Sequence, residues 1–185
     1  SGVKTCIIFN PAARGGKARK FRTFLESVGD GVSFKPTWAP GAATELARAA
    51  VAEGFDKIVA AGGDGTLNEV LNGIGEAEEG FRKVCLGVLP LGTINVFAKE
   101  LGIPENPIEA WKTVLQGNER TVDLPYAELT VDGEHRRRYF AQLAGAGLDA
   151  EAIALVDWQA KRRYRQLAYV FAGFRALMRP QHRIE

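Results

Sequence analysis

The chain has 185 residues, of which 46% are hydrophobic and 25% charged, so it can bury a core and is neither a disordered tail nor a collagen-like fibre. Its 24 Lys and Arg residues against 22 Asp and Glu leave a formal charge of +2, which gives no support for a nucleic-acid partner. No run approaches the ~18 to 20 apolar residues of a membrane-spanning helix, and no signal peptide is evident, so a cytoplasmic, soluble protein is expected.

Strands and helices alternate through the first two thirds of the sequence. Glycine and proline turns separate predicted strands from segments with apolar side chains at helical spacing. Three of the strands are predicted from apolar runs, and Val32–Trp38 from its alternating residues. This alternation of strands and helices predicts a parallel sheet covered by helices on both faces. The predicted strands are Thr5–Phe9, Val32–Trp38, Ile58–Ala61 and Val84–Leu89, and the predicted helices include Phe21–Val28, Leu46–Val51, Leu67–Ile74 and Ile108–Leu115.

The pattern changes after residue 119. Alternating residues predict an antiparallel hairpin of two strands, Arg120–Val131 and Arg136–Ala144, joined by a turn at Asp132-Gly133. One further helix is predicted over Trp158–Met178. A hairpin and one helix are too little to fold alone, so we expect residues 1–119 to form an α/β domain and residues 120–185 the start of a second, incomplete domain.

The segment Gly62-Gly63-Asp64-Gly65-Thr66 lies between a buried strand and a helix, where open α/β sheets bind ligands. Its glycines and the N–H groups of the helix start suit a phosphate. Asp64 would repel that phosphate unless it holds Mg²⁺ or takes a proton from an attacking hydroxyl, the two tasks of phosphoryl transfer. The alternative is that Asp64 occupies a tight turn and caps the helix.

Three other loops follow predicted strands at the same edge of the sheet: Asn10–Gly16, the stretch from Thr37, and Leu91–Asn95. Four such loops could surround one nucleotide. A P-loop NTPase is excluded because Gly16-Lys17 is followed by Ala18 and not by Ser or Thr. Cys6 and Cys85 lie in apolar runs and are expected to be small buried side chains without a disulfide.

Three ordered motifs carry a family resemblance. The segment Gly62–Val70 (GGDGTLNEV), with Asn10-Pro11 before it and Leu89–Ala98 (LPLGTINVFA) after it, resembles the diacylglycerol kinase catalytic-domain family. Within that family the sequence is similar to bacterial lipid kinases related to sphingosine kinases. The resemblance runs from about Ile7 to Arg179.

The resemblance implies an N-terminal parallel-sheet nucleotide-binding domain followed by an antiparallel β-sandwich domain, here truncated. It implies transfer of the γ-phosphate of ATP, with Mg²⁺, to a hydroxyl of diacylglycerol or a sphingoid-type lipid. Asp64 is the expected catalytic residue. The nucleotide contacts implied by the resemblance are Asn10, Thr37, Gly62, Gly63, Asp64, Gly65, Thr66, Leu67, Asn68 and Thr93, with Glu69 and Asn95 close by.

Departures from the family pattern keep two alternatives open. Val96 stands where many members have Asp, and Ala42 where many have Asp or His. Members also carry a late Asp-Gly-Glu whose Glu is a proposed proton acceptor, and the early Asp132-Gly133-Glu134 is no substitute for it. The alternatives are a non-catalytic nucleotide-binding regulatory module and an NAD-kinase-like phosphotransferase with a soluble acceptor.

Basic side chains cluster late in the chain. Lys161, Arg162, Arg163 and Arg165 precede an aromatic stripe, which predicts peripheral contact with an anionic membrane at its inner face. The alternative is an ordinary helix with a solvated charged face. Arg136-Arg137-Arg138 is interpreted as a solvated strand edge. The two isolated His residues predict no metal cluster, and an oligomer is left open.

Overall fold

A computed structural model of the chain describes residues 2–11, 16–28 and 31–142. All of these residues belong to one compact unit, Ser1–Gln142. The expectations for the Trp158–Met178 helix and the basic cluster fall outside the described residues.

Four parallel strands form the main sheet, as the sequence predicts. They are β1 (Thr5–Phe9), β2 (Val32–Pro36), β3 (Lys57–Gly62) and β4 (Cys85–Pro90), in the order β2-β1-β3-β4. Every neighbouring pair is parallel. Apolar runs located β1, β3 and β4 to within a few residues, because these strands are rich in buried side chains. The edge strand β2, whose residues are exposed or half-buried, was located by its alternating pattern.

Four helices of ten or more residues connect the strands or follow them: α1 (Gly16–Ser27), α2 (Ala42–Ala52), α3 (Asp64–Glu76) and α6 (Pro107–Gln116). Two short helices, α4 (Gly80–Lys83) and α5 (Val96–Glu100), were not predicted. In the part of the chain that the structure describes, no helix is long and apolar enough to cross a lipid bilayer.

Alternate side chains of β1, β3 and β4 enter two separate cores. On one face Cys6, Ile8 and Ile58 pack with residues of α2 and α3, and on the other Ile7 and Val59 pack with residues of α1 and α6. This alternation follows from the two-residue period of a strand. The arrangement is a three-layer α/β/α structure, with helices packed on both faces of the sheet.

A two-stranded antiparallel sheet follows the α/β layers. Its strands are β5 (Tyr126–Val131) and β6 (Glu134–Tyr139). The predicted turn is confirmed: Asp132 and Gly133 both have positive φ, at 53° and 80°, as a two-residue hairpin turn requires.

The predicted limits of this hairpin were too wide. The first strand begins at Tyr126 and not at Arg120, since Pro125 lacks an N–H and only its carbonyl pairs, accepting from Phe140 at 3.1 Å. The second strand ends at Tyr139, where its outward-facing backbone bonds to a helix side chain and not to another strand. A β-sandwich and the boundary at residue 119 stay predictions.

The two cysteines differ in environment. Cys6 is fully buried in β1, and burial raises the pKa of its thiol to about 11. Cys85 begins the edge strand β4 and is only partly buried, with a pKa raised mainly by desolvation. Both are free thiols, as predicted, but full burial is correct only for Cys6.

Candidate functional site

The loops that follow the four parallel strands lie along one edge of the main sheet. The register pairs Phe9 with Pro36 on one side and with Ala61 on the other, so the strands end level. The strand order changes direction between β1 and β3, and open α/β sheets bind ligands in the crevice at such a point. Asn10 follows β1 and Gly63 follows β3, so two of the predicted nucleotide contacts flank that crevice.

Two glycine-containing loops meet beside this crevice. A Cβ on Gly92 would lie 2.5 Å from the Gly63 Cα and 2.6 Å from the Asn95 Oδ1. The Leu91 N–H also donates to the Gly62 carbonyl at 2.9 Å. The backbones approach so closely that only glycine fits at position 92, and the loops after β3 and β4 act as one unit.

The N-terminus of α3 has no side-chain cap. Gly63 occupies the cap position and, having no side chain, cannot accept from the first-turn N–H groups. The N–H groups of that turn lack acceptors within the helix and carry the positive end of the helix dipole. Gly65 is exposed in this turn, and an added Cβ would meet nothing within 4 Å. A phosphate could therefore approach the backbone here.

Asp64 caps a different helix, α5, across the two loops. Its Oδ2 accepts from the Val96 N–H at 3.2 Å and its Oδ1 from the Phe97 N–H at 3.4 Å. Oδ1 also accepts from the Gln142 Nε2 at 3.3 Å. A carboxylate offers about four acceptor positions. Three are occupied, and the remaining one on Oδ2 can face a metal ion or a hydroxyl.

Asn95 holds the loop that follows β4. Its side chain is 3% exposed, accepts from the Gly92 N–H and donates to the Gly92 carbonyl, both at 2.9 Å. The residue takes a left-handed conformation, with φ at 53°, which asparagine tolerates well. These bonds fix the turn that presents Thr93, which is exposed at the rim.

The other predicted contacts on α3 face different directions. Leu67 is 5% exposed and packs in the core. The Glu69 Oε2 accepts from the Ala43 N–H at 3.2 Å, so this carboxylate caps the first turn of α2. Thr66 lies over Gly62, where a Cβ would collide with the Thr66 hydroxyl.

The remaining two predicted contacts lie on exposed or partly exposed backbone. Asn68 is exposed on α3, and its carbonyl accepts from the Asn72 Nδ2 at 2.9 Å. Thr37 follows β2, is partly buried, and its N–H donates to the Phe9 carbonyl at 2.8 Å. Contact of either residue with a nucleotide stays a prediction.

The enclosed space beside Asp64 is small. A cavity of about 10 Å³ has room for about one water, so a nucleotide would lie on the open rim. Among residues 2–11, 16–28 and 31–142, no three His, Cys, Asp or Glu side chains form a metal-binding group. A single carboxylate nevertheless suits Mg²⁺ that is also bound by substrate phosphates. The cavity is lined by Gly62, Gly63, Asp64, Leu67, Val88, Pro90, Asn95 and Ala98.

Sequence reasoning missed two side chains at this site, Asn72 and Gln142. Asn72 is buried in α3 and bonds to the backbone of Tyr139, and Gln142 bonds to Asp64. Both contacts join residues more than 60 positions apart. No local motif signals them, and the only hint is an amide in the otherwise apolar stretch Val70–Ile74.

Comparison with known proteins gives consistent similarities. Residues 4–127 match the family model of the diacylglycerol kinase catalytic domain. Over 177 residues the chain is 37% identical to a protein named diacylglycerol kinase from Bacillus subtilis strain 168, covering 92% of this chain and 54% of that protein. A protein of the same name from Staphylococcus aureus strain MRSA252 is 35% identical over 177 residues, with coverages of 92% and 52%.

The fold is also similar to a solved structure. The crystal structure of a diacylglycerol kinase from Bacillus anthracis strain Sterne gives a TM-score of 0.58 at 29% identity, covering 72% of this chain and 45% of that one. The chain spans about half the length of the curated relatives it matches.

Proposed function

Because the chain belongs to the diacylglycerol kinase catalytic-domain family, we propose that the protein transfers the γ-phosphate of ATP to a hydroxyl of a membrane lipid, diacylglycerol or a sphingoid-type lipid. The observation that carries the proposal is the uncapped start of α3 beside the crevice between β1 and β3. Such a helix start binds phosphate through N–H groups and dipole together.

The chain's own groups divide the work of binding. The first-turn N–H groups of α3 hold phosphate oxygens, and Gly65 leaves room for them because it has no side chain. Asn10, Thr37, Thr66 and Thr93 supply polar side chains around the nucleotide. The close contact of Gly63 with Gly92 keeps the loops after β3 and β4 at a fixed separation.

Asp64 is the proposed catalytic residue. Mg²⁺, when bound, neutralises charge on the phosphates and on the transferred group. Asp64 uses its open Oδ2 position either to hold that ion or to accept the proton of the lipid hydroxyl. The N–H groups of Val96 and Phe97 fix the carboxylate plane, so the open position has one direction.

The proposed acceptor lies in a bilayer, so the protein would act at a membrane surface. The basic residues from Lys161 to Arg165 would favour an anionic surface, each contributing about 1 kcal/mol. The test incubates the full-length protein with labelled ATP, Mg²⁺ and anionic vesicles that contain diacylglycerol or a sphingoid base. We expect label in the lipid fraction.

Two variants sharpen this experiment. Asp64→Asn should abolish lipid labelling, while Asp132→Asn, the same change in the exposed hairpin turn, should leave it intact. Phosphorylation of NAD without lipid labelling would instead indicate an NAD-kinase-like phosphotransferase. ATP binding without turnover of any acceptor would indicate the non-catalytic module.

A further inference from the structure

The end of β6 is fixed against the middle of α3 by one buried amide. Asn72 is 2% exposed, its Oδ1 accepts from the Tyr139 N–H and its Nδ2 donates to the Tyr139 carbonyl, both at 2.9 Å. This amide bonds to the outer edge of β6 as a neighbouring strand would, so neither backbone group of Tyr139 is left unpaired.

Side-chain packing supports the same contact. The Tyr139 ring lies edge-on to Phe81, with centroids 5.0 Å apart, and a Cβ on Gly75 would come within 2.5 Å of that ring. Arg138 also approaches Glu76 at 3.8 Å. The residue that ends β6 therefore has one position along α3.

That anchor determines where the next residues reach. Asn72 lies eight residues after Asp64 on α3, about 12 Å along the helix axis. Three residues of extended chain span about 10 Å. From Tyr139 the chain continues toward the N-terminal end of α3 and reaches Asp64 at Gln142. The Gln142 Nε2 donates to the Asp64 Oδ1 at 3.3 Å.

We propose that Gln142 is a positioning residue for Asp64, placed there by the Asn72 contact with Tyr139. This inference rests on the proposed kinase function. Val96 and Phe97 both belong to α5 and hold the carboxylate from one helix. Gln142 adds a donor from the segment after the second sheet and leaves the open acceptor position on Oδ2. Gln142→Glu would remove the N–H donor to the Asp64 Oδ1, and the new carboxylate would repel Asp64.

The first test uses the free protein. Hydrogen exchange of the Val96 and Phe97 amides should be faster in Gln142→Ala, because the carboxylate that accepts from both is less firmly held. A Gln-to-Glu substitution is made at two positions. Gln142→Glu should speed exchange of the Val96 and Phe97 amides as Gln142→Ala does, and Gln116→Glu at the exposed end of α6 should leave both exchange rates unchanged. The Ile108 amide, bonded to Asn106, is the internal reference. Unchanged exchange at Val96 and Phe97 would overturn the proposal.

The second test uses lipid phosphorylation by the full-length protein. Loss of a hydrogen bond to a charged group changes a rate or equilibrium constant by roughly 10-fold or more. Gln142→Ala should therefore lower kcat about 10-fold, and it should change the KM for ATP less than about 2-fold. In the Asp64→Asn background, where kcat is too low to compare, the readout is exchange of the Val96 and Phe97 amides, and Gln142→Ala should add no further increase in their exchange rates. Independent, additive increases would show that Gln142 does not act through Asp64.

The two tests separate the two proposals. If the Gln142 variants show faster exchange but the wild type has no lipid kinase activity, the contact with Asp64 is supported and the kinase function is rejected. An active kinase whose kcat is insensitive to both Gln142 variants would retain the function and reject the positioning role.

Discussion

Gly65 offers a direct test of where a phosphate binds. The residue lies in the first turn of α3, is exposed, and its φ is not positive. An added Cβ would meet no atom within 4 Å. Nothing in the free protein therefore requires glycine at this position, and a missing side chain is useful only to a ligand that approaches the backbone.

The expected effects of Gly65→Ala on stability and on binding have opposite signs. Alanine in a compatible conformation should raise the free energy of unfolding by about 0.4 to 1 kcal/mol, because the unfolded chain loses freedom. A methyl group in front of the first-turn N–H groups should displace a phosphate oxygen. Loss of one charge-assisted hydrogen bond, about 1.5 to 3 kcal/mol, corresponds to about 10-fold to 150-fold weaker ATP binding.

A second glycine of α3 provides the matched control. A Cβ on Gly73 would collide with the Thr44 carbonyl and lie 2.8 Å from the Ala47 Cβ, so Gly73→Ala should destabilise the protein by about 1 to 3 kcal/mol through overpacking. Urea unfolding measures stability, and calorimetry with ATP measures binding under conditions where both variants are folded. Wild-type ATP affinity in Gly65→Ala would refute the assignment of a phosphate to this turn.

Three further changes test single contacts. Gly92→Ala should lower the free energy of unfolding by about 1 to 3 kcal/mol and weaken ATP binding, because the added Cβ would displace Gly63 and Asn95. Urea unfolding measures the first effect and calorimetry the second, and unchanged stability would contradict the close contact. Asn106→Ala removes the acceptor for the first turn of α6 and should cost about 1 kcal/mol in urea unfolding with unchanged ATP affinity. Burial raises the pKa of the Cys6 thiol from 9.0 to about 11, so the folded state keeps this proton to a higher pH and the free energy of unfolding falls above pH 9. Cys6→Ala should remove about 1 kcal/mol of the loss seen between pH 8 and pH 10, and equal losses in both proteins would contradict this.

The sheet was predictable because its information is local. The central strands β1 and β3 are buried on both faces, so a short apolar run between turn residues suffices to locate them, and β1 is found at the predicted residues, Thr5–Phe9. Alternation of these runs with helical segments predicted parallel pairing, and parallel strands all end at one edge of the sheet.

The short helix α5 was not predictable in this way. It begins after Asn95 in a left-handed conformation, and the residue that accepts from its first N–H groups is Asp64, more than 30 positions earlier. A cap supplied from another loop leaves no signature in the sequence beside the helix. Pro107 and Asn106, in contrast, mark the start of α6 locally.

For the candidate site, the motif located the loops that meet beside the crevice but not the direction of each side chain. A continuous stretch such as Leu67–Glu69 turns about 100° per residue in a helix, so its members cannot all face one ligand. Leu67 packs in the core and Glu69 caps α2, while Asn68 is exposed.

Asp64 connects three parts of the molecule that sequence order keeps apart. Its carboxylate begins α3, caps α5 and receives the amide of Gln142. An amide at position 64 would turn an NH₂ group toward at least one of these donors, so Asp64→Asn breaks a contact as well as removing a charge. The three N–H donors hold this side chain in one orientation in the free protein, and the proposed reaction uses that orientation whether Asp64 holds Mg²⁺ or accepts a proton. The contacts that orient Asp64 are therefore supplied by the fold and do not depend on a bound ligand.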